Sequence, residues 1–224
     1  MDEVTRHLTP VDLKRSQVIL EPGEEIRQVT FLANGLVSAR VPFKSGHEVE
    51  CVLLGSNTAI GAVSTLGMDS AVTRAVCLSD AHAWTVSVPV LRDLVQKHRD
   101  LEQAIKTCCG SQFSSAVLVG ACNAMHGSKR RLARWLLLAD DLVDGAPLAI
   151  RQDDLGASLG LQRTVINPCL QQFQADGLIS IGRGLLNVLD HGALRERACD
   201  CFLPLHRLTW ALSPERAAAA ARQT

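Results

Sequence analysis

No charge of either sign prevails in this 224-residue chain, because 23 Lys and Arg offset 23 Asp and Glu. Bulk charge therefore offers no argument for a nucleic-acid partner. Apolar residues make up 47% of the sequence, yet no run of them is long enough to span a bilayer, so no membrane partner is expected. The opening stretch MDEVTRHLTP has neither a basic start nor an apolar segment. Without an export signal the expected location is the cytoplasm. There is no internal repeat. No Ser/His/Asp group, carboxylate pair or phosphate loop emerges, and Gly46-His47-Glu48-Val49-Glu50 lacks the second His of a metalloprotease signature. No enzymatic activity and no cofactor are expected.

Cysteine is present, but in the wrong setting for disulfides. Eight cysteines lie scattered among apolar residues in a chain with no secretion signal, which reads as buried, reduced thiols. Cys199-x-Cys201, taken with His191 and His206, is the one constellation that could hold a soft metal. The most specific zinc pattern places two residues between paired cysteines and here there is one, so no metal site is assigned. The adjacent Cys108 and Cys109 could crosslink two copies.

What is there is organised around residues 152–190. Leu155, Leu159, Val165, Leu170 and Phe173 carry an apolar stripe through two short helical segments, and Gly160 marks the break between them. That is a helix-turn-helix pattern. Residues 177–181 and 186–189 then read as short strands joined by Gly182-Arg183-Gly184. The combination is a winged helix-turn-helix, whose second helix normally enters the major groove of DNA.

Upstream, residues 1–15 read as a short helical lead-in. From Ser16 to about Pro89, short apolar runs alternate with Gly, Pro, Asn and Asp, as expected of a β sandwich or roll. From Val90 to about Met125 there is no Pro, and apolar or small residues recur at helical spacing in two rows. One row is Leu101, Ala104, Cys108, Ser111, Ser115, Leu118, Cys122 and Met125; the other is Ile105, Cys109, Ala116 and Val119. A long helix apolar on more than one face must be covered on two sides. The roll can cover one side, and a second copy packed as a coiled coil the other, with burial inside a single monomer as the alternative. A hinge is expected at His126-Gly127-Ser128, with Ser128 as N-cap of a helix that buries Leu132, Trp135, Leu136 and Leu138. After Met125 there are 12 Lys and Arg against 10 Asp and Glu, and Lys129, Arg130, Arg131 and Arg134 cluster at this helix start. A phosphate partner would offset the macrodipole penalty there, although a solvated basic face is the plainer reading.

The fold class is thus α+β. An antiparallel, jelly-roll-like β-roll of the effector-binding kind spans 1–89 and a long dimerisation helix 90–126. The winged helix-turn-helix spans 127–200, and a partly disordered C-terminal extension 201–224.

This order of elements resembles the Crp/Fnr family of bacterial transcription regulators. The resemblance is carried by Pro22-Gly23-Glu24, Gly35, Gly55 and Ile60-Gly61 in the roll, and by Arg131 to Leu137 in the following helix. Leu155-Gly156, Leu159-Gly160-Leu161 and Asp176-Gly177-Leu178-Ile179 complete it. It implies a homodimer on a palindromic double-stranded operator, RNA polymerase as a further partner, and a small-molecule effector in the roll. Cyclic-nucleotide binders of this family open their cassette with Gly-Glu and close it near an Arg-Ser or Arg-Thr pair. Here the opening is Gly61-Ala62, without the ribose acceptor, and Asp69, beside Ser70, stands where the phosphate Arg belongs. Arg74 is nearby but on the following strand. These departures argue against cyclic AMP and leave the effector unidentified. The first cysteine is Cys51, so the N-terminal cysteine group of Fnr-type oxygen sensors is absent. Relatives that bind haem use a His; His47, His82 and His98 are the candidates here, each more plainly a surface or core residue.

In the recognition helix Arg163 matches an early family position, where it can donate bidentately to guanine. Pro168 stands at the later, usually basic position, and predicts a kink or break at Asn167-Pro168. Gln162, Arg163, Thr164 and Asn167 are the expected groove contacts, and Gln152, Lys129, Arg130 and Arg183 the expected phosphate contacts. If Pro168 abolishes DNA binding, the chain is instead a protein-interaction module, or a thiol or metal sensor.

Overall fold

The computed structural model describes residues 2–182 and 184–210; Arg183 and the Ala-rich tail expected to be poorly ordered lie outside the described residues. Helix α1 (Asp2–Thr5) is followed by β1 (Thr9–Leu13), β2 (Val18–Leu20), β3 (Gln28–Leu32), β4 (Val37–Pro42), β5 (Glu48–Leu54), β6 (Ala59–Ile60), β7 (Arg74–Cys77) and β8 (Ala81–Ser87). These strands form facing antiparallel sheets in the orders β1-β8-β3-β6 and β2-β7-β4-β5. Period-two alternation sets their inner faces: in β8, Ala81 and Ala83 are buried while His82 and Trp84 face out. Gly35 is obligatory, since its φ is +83° and a Cβ there would lie 2.5 Å from that of Ala81.

The helical lead-in expected over residues 1–15 ends at Thr5, and Thr9–Leu13 is a strand. Pro10 permits this because β1 is an edge strand, where the missing N–H leaves no ladder bond unmade.

The long helix is also divided. Helix α2 (Val88–Lys97) ends at His98, which is extended (φ −121°, ψ 99°), and α3 (Arg99–Met125) then runs 27 residues. No Gly or Pro marks that break; α2 is turned to bury Leu91 and Leu94. Along α3 the residues buried within the monomer are Ile105, Cys108, Cys109, Ser111, Ser115, Val119 and Cys122. The expected rows are therefore mostly the face packed on the chain itself, and Met125 is 79% exposed. Cys108 and Cys109 pack in the apolar cluster with Ile26 and Val29, where they cannot reach a second copy.

His126 and Gly127 join α3 to α4 (Ser128–Leu142). Gly127, not Ser128, occupies the N-cap position of α4, with no side-chain cap. Every residue from Arg131 to Ala139 is buried, because α4 is the centre of its domain, in contact with α5 (Gln152–Leu159), α6 (Arg163–Ala175), β10 (Leu185–Val188), α7 (His191–Arg197) and α8 (Phe202–Trp210). Strands β9 (Ile179–Gly182) and β10 pair antiparallel as the wing. Beyond Asp190 the chain forms two helices, α7 and α8, separated at Ala198, with Pro204 tolerated in the first turn of α8. Part of the C-terminal extension is thus ordered: Phe202 and Leu205 are buried, and Ser111 Oγ donates to the Leu208 carbonyl at 2.8 Å.

Candidate functional site

Helix α6 presents an exposed polar face on a rigid support. Ile166, Leu170 and Phe173 are at most 2% exposed and hold the helix on α4, so the opposite face must look outward. Val165, expected in the buried stripe, is 38% exposed; Ile166 takes its place. Gln162 stands at the N-cap position, Arg163 and Thr164 are exposed in the first turn, and Asn167 is half-buried. Helical spacing then adds Gln171, exposed one turn further on and passed over in the sequence reading. The break expected at Asn167-Pro168 does not occur, and α6 is helical through Pro168. Only the Thr164 carbonyl loses its intrahelical donor, and Thr164 is exposed where water can satisfy it. Apolar anchors on both sides of the proline keep the helix in one piece.

Arg163 donates from Nε and one terminal nitrogen to the two carboxylate oxygens of Asp153 on α5. This ion pair holds the guanidinium at the helix start. Gln152 is exposed at the first residue of α5, and Arg130 is exposed on α4. Lys129 is half-buried, its ammonium 5.6 Å from the centre of the Phe173 ring. The basic cluster as a whole is not a phosphate surface, because Arg131 and Arg134 are 8% and 3% exposed. Arg131 donates to the Leu159 carbonyl at the C-terminus of α5, where a cation opposes the end of the helix dipole. Arg183 lies outside the described residues.

The helix-turn-helix is docked on the roll. Asp154 of α5 pairs with Arg15 at 3.3 Å and Arg40 at 3.8 Å, and Gly160 meets Val49 of β5 so closely that a Cβ would lie 3.0 Å from its Cγ2. Trp135 of α4 donates its indole N–H to Glu50 at 2.8 Å, and Ser38 Oγ donates to the other oxygen of the same carboxylate at 2.5 Å. Burial pushes the Glu50 carboxyl above the ordinary carboxylate range, against the hydrogen bonds from Ser38 and Trp135 and the charge of Arg40. Gly46, His47 and Glu48 of the roll border the same cleft as Gln162 and Arg163.

Inside the roll is a cavity of about 340 Å³ whose lining includes Leu20, Val41, Cys51, Gly61, Ser70 and, from α3, Gln112. No Lys, Arg or His is among its described lining residues. Of the expected pocket residues, Gly61 and Ser70 line it and Ala62 is buried beside it. Asp69 instead pairs with Arg92, and Arg74 is held by Glu21 and Glu48, at 2.8 and 2.7 Å, which raise its pKa further. His47, His82 and His98 sit at the surface on Ser45, Asp12 and Glu3.

Residues 10–98 match the model of the cyclic nucleotide-binding domain, and residues 130–197 that of the Crp-like helix-turn-helix domain. The chain belongs to the Crp/Fnr family of transcription regulators. As a Crp/Fnr protein it carries a DNA-binding helix-turn-helix, and its family and fold are those of regulators rather than enzymes. Among its relatives is the global nitrogen regulator of Synechocystis sp., 23% identical over 192 residues that cover 82% of this chain and 85% of that protein. The HTH-type transcriptional regulator Cmr of Mycobacterium tuberculosis is 40% identical over 62 residues. That match spans 28% of this chain and only 25% of the Cmr chain. FixK2 from Bradyrhizobium japonicum shares the fold with a TM-score of 0.75 at 17% identity, covering 86% of this chain and 98% of its own. The c-di-GMP responsive global regulator CLP of Xanthomonas campestris does so with a TM-score of 0.70 at 16% identity, covering 84% and 97%.

Proposed function

We propose that this Crp/Fnr regulator works in the cytoplasm as a homodimer that reads a palindromic operator with α6. The observation that carries the reading is the polar face of Gln162, Arg163, Thr164 and Gln171, exposed on an unbroken helix with Asn167 half-buried among them. In the groove Arg163 exchanges Asp153 for a guanine edge, while Gln152, Lys129 and Arg130 position the backbone. The unbroken course of α6 through Pro168 favours this reading over the alternative of a protein-interaction module, although Pro168 still stands where a basic residue is usual. RNA polymerase is the partner through which the bound dimer would act.

Dimerisation is supported by the face of α3 turned away from the roll. Gly110, Phe113, Val117, Gly120 and Ala124 are all exposed at three- and four-residue spacing, with Phe113 at 72% and Val117 at 56%. A seam of small residues flanking two large apolar ones suits close approach of a second copy of the same helix. The rows expected from the sequence missed it because they collected the residues that face the roll.

The effector reading is an apolar small molecule, or none, and not a cyclic nucleotide. A phosphate placed in the cavity would find no described cation on its lining, since Arg74 is already neutralised by two carboxylates.

Sequencing of genomic fragments retained by the unliganded protein, at moderate and at higher salt, tests the proposal. A shared palindrome is expected, lost in Arg163→Ala with the fold intact. Binding that stays diffuse and salt-sensitive, or a motif unchanged in Arg163→Ala, refutes it. Phe113→Glu with Val117→Glu should convert the dimer to monomer in sedimentation equilibrium.

A further inference from the structure

The C-terminal cysteines do not meet the histidines that the sequence suggested. His191 and His206 both pair with Asp141, at 3.1 and 3.3 Å. Cys199 and Cys201, in the turn between α7 and α8, instead meet the end of α3. Cys122 Sγ lies 3.5 Å from Cys199 Sγ, and Cys201 Sγ lies 3.6 Å from His126 Nδ1. All four ligand atoms fall within 4.8 Å of one another.

From this geometry we propose that Cys122, His126, Cys199 and Cys201 form a tetrahedral site for a single zinc ion, which fastens the α7–α8 turn to the hinge between α3 and α4. The spacing decides for one ion. With Zn–S near ~2.3 Å and Zn–N near ~2.0 Å, the edges of a ligand tetrahedron are about 3.5–3.8 Å. An iron–sulfur cluster spreads its four ligands over two or four irons and needs a wider set. Chain geometry agrees with it: Cys122 is in the last turn of α3 and His126 is its C-cap residue, so the pair falls on one side of the helix end.

The surroundings complete the site. His126 Nε2 is 3.1 Å from Asp200 Oδ1, so the imidazole can donate to that carboxylate while Nδ1 faces the thiols, the orienting arrangement common behind a zinc-bound histidine. Arg134 is 3% exposed, belongs to no ion pair among the described residues, and its charge acts on Cys122 and Cys199. A buried cation without an acidic partner is costly. Three thiolates and a neutral imidazole around Zn²⁺ leave one negative charge, and Arg134 is positioned to balance it. Binding releases the three thiol protons to solvent, so affinity rises with pH.

The test uses the full chain purified reduced, with metal content by inductively coupled plasma mass spectrometry and Co²⁺ as a spectroscopic probe. The expected results are about one zinc per chain and, on Co²⁺ loading, the intense visible bands of a tetrahedral thiolate-rich site. Cys201→Ser and His126→Ala should lose this binding, and Cys51→Ser, in the roll, should keep it. Asp200→Asn alters an exposed residue that touches no thiol, so it should fold and weaken Zn²⁺ affinity about 10- to 100-fold. The inference is overturned if the reduced, folded wild type takes up neither Zn²⁺ nor Co²⁺, or if it is isolated with a Cys122–Cys199 disulfide and no metal. Full affinity retained in both Cys201→Ser and His126→Ala would overturn it equally.

Discussion

Replacing Trp135 by Phe should destabilise the protein by an amount that grows with pH. The indole is 1% exposed and its N–H is bonded to Glu50 across the junction of roll and helix-turn-helix. Losing part of a buried ring leaves a void worth about 1–2 kcal/mol, less than the 3–5 kcal/mol of full truncation to Ala. The lost hydrogen bond is worth about 1.5–3 kcal/mol while Glu50 is ionised, and about 0.5–1.5 kcal/mol while it is protonated. Burial raises the Glu50 pKa in the folded state. The group's contribution to stability is therefore complete below the ordinary Glu pKa and is lost as pH rises through the raised value. Removing a donor that favours the ionised form steepens that loss, so the cost of Trp135→Phe should be about 1–1.5 kcal/mol greater at the alkaline end than at the acid end. Urea unfolding followed by far-UV circular dichroism over a pH series measures it. Trp84→Phe, at a site 43% exposed, is the control and should stay within about 0.5 kcal/mol at every pH. A cost for Trp135→Phe that does not vary with pH would refute the argument.

Further expectations concern the DNA-binding domain. Phe173→Ala, at a fully buried position between α6 and α4, should cost about 3–5 kcal/mol in equilibrium unfolding, and an effect under 1 kcal/mol would show that the ring is not a core anchor. Pro168→Ala restores the donor that the Thr164 carbonyl lacks and should stabilise the protein by about 1–2 kcal/mol after the added freedom of the unfolded chain is subtracted; a loss of stability would contradict it. Asp153→Ala should release Arg163 and tighten operator binding in a titration at fixed salt, whereas unchanged or weaker binding would mean that the ion pair does not compete with DNA.

Local chemistry accounts for the parts that were legible in sequence. Gly160 takes a left-handed φ of +61° at the end of α5, and the turn before α6 follows from it. Alternating residues fixed which face of β8 is buried, and the glycine-rich turn between β9 and β10 produced the wing. These features depend on residues within a few positions of one another, so one sequence suffices to see them.

Long-range contacts decided the rest. Thr9–Leu13 is a strand because β8 lies beside it, although Pro10 speaks against one. Arg131 and Arg134 read as a basic surface until the fold surrounds them, one donating to the end of α5 and the other set beside thiols. Helical periodicity showed that α3 has two apolar faces but not which one the roll covers, so the exposed seam of Phe113 and Val117 went unseen. Cys122 and Cys199 are 77 positions apart and touch only because α7 and α8 fold back on the hinge. The sequence by itself determined the family and the order of β-roll, long helix and winged helix-turn-helix, since each is encoded in local pattern. Which charges are buried, which helix face is free and which thiols meet a histidine were decided by packing, because neighbours in space are not neighbours in the chain.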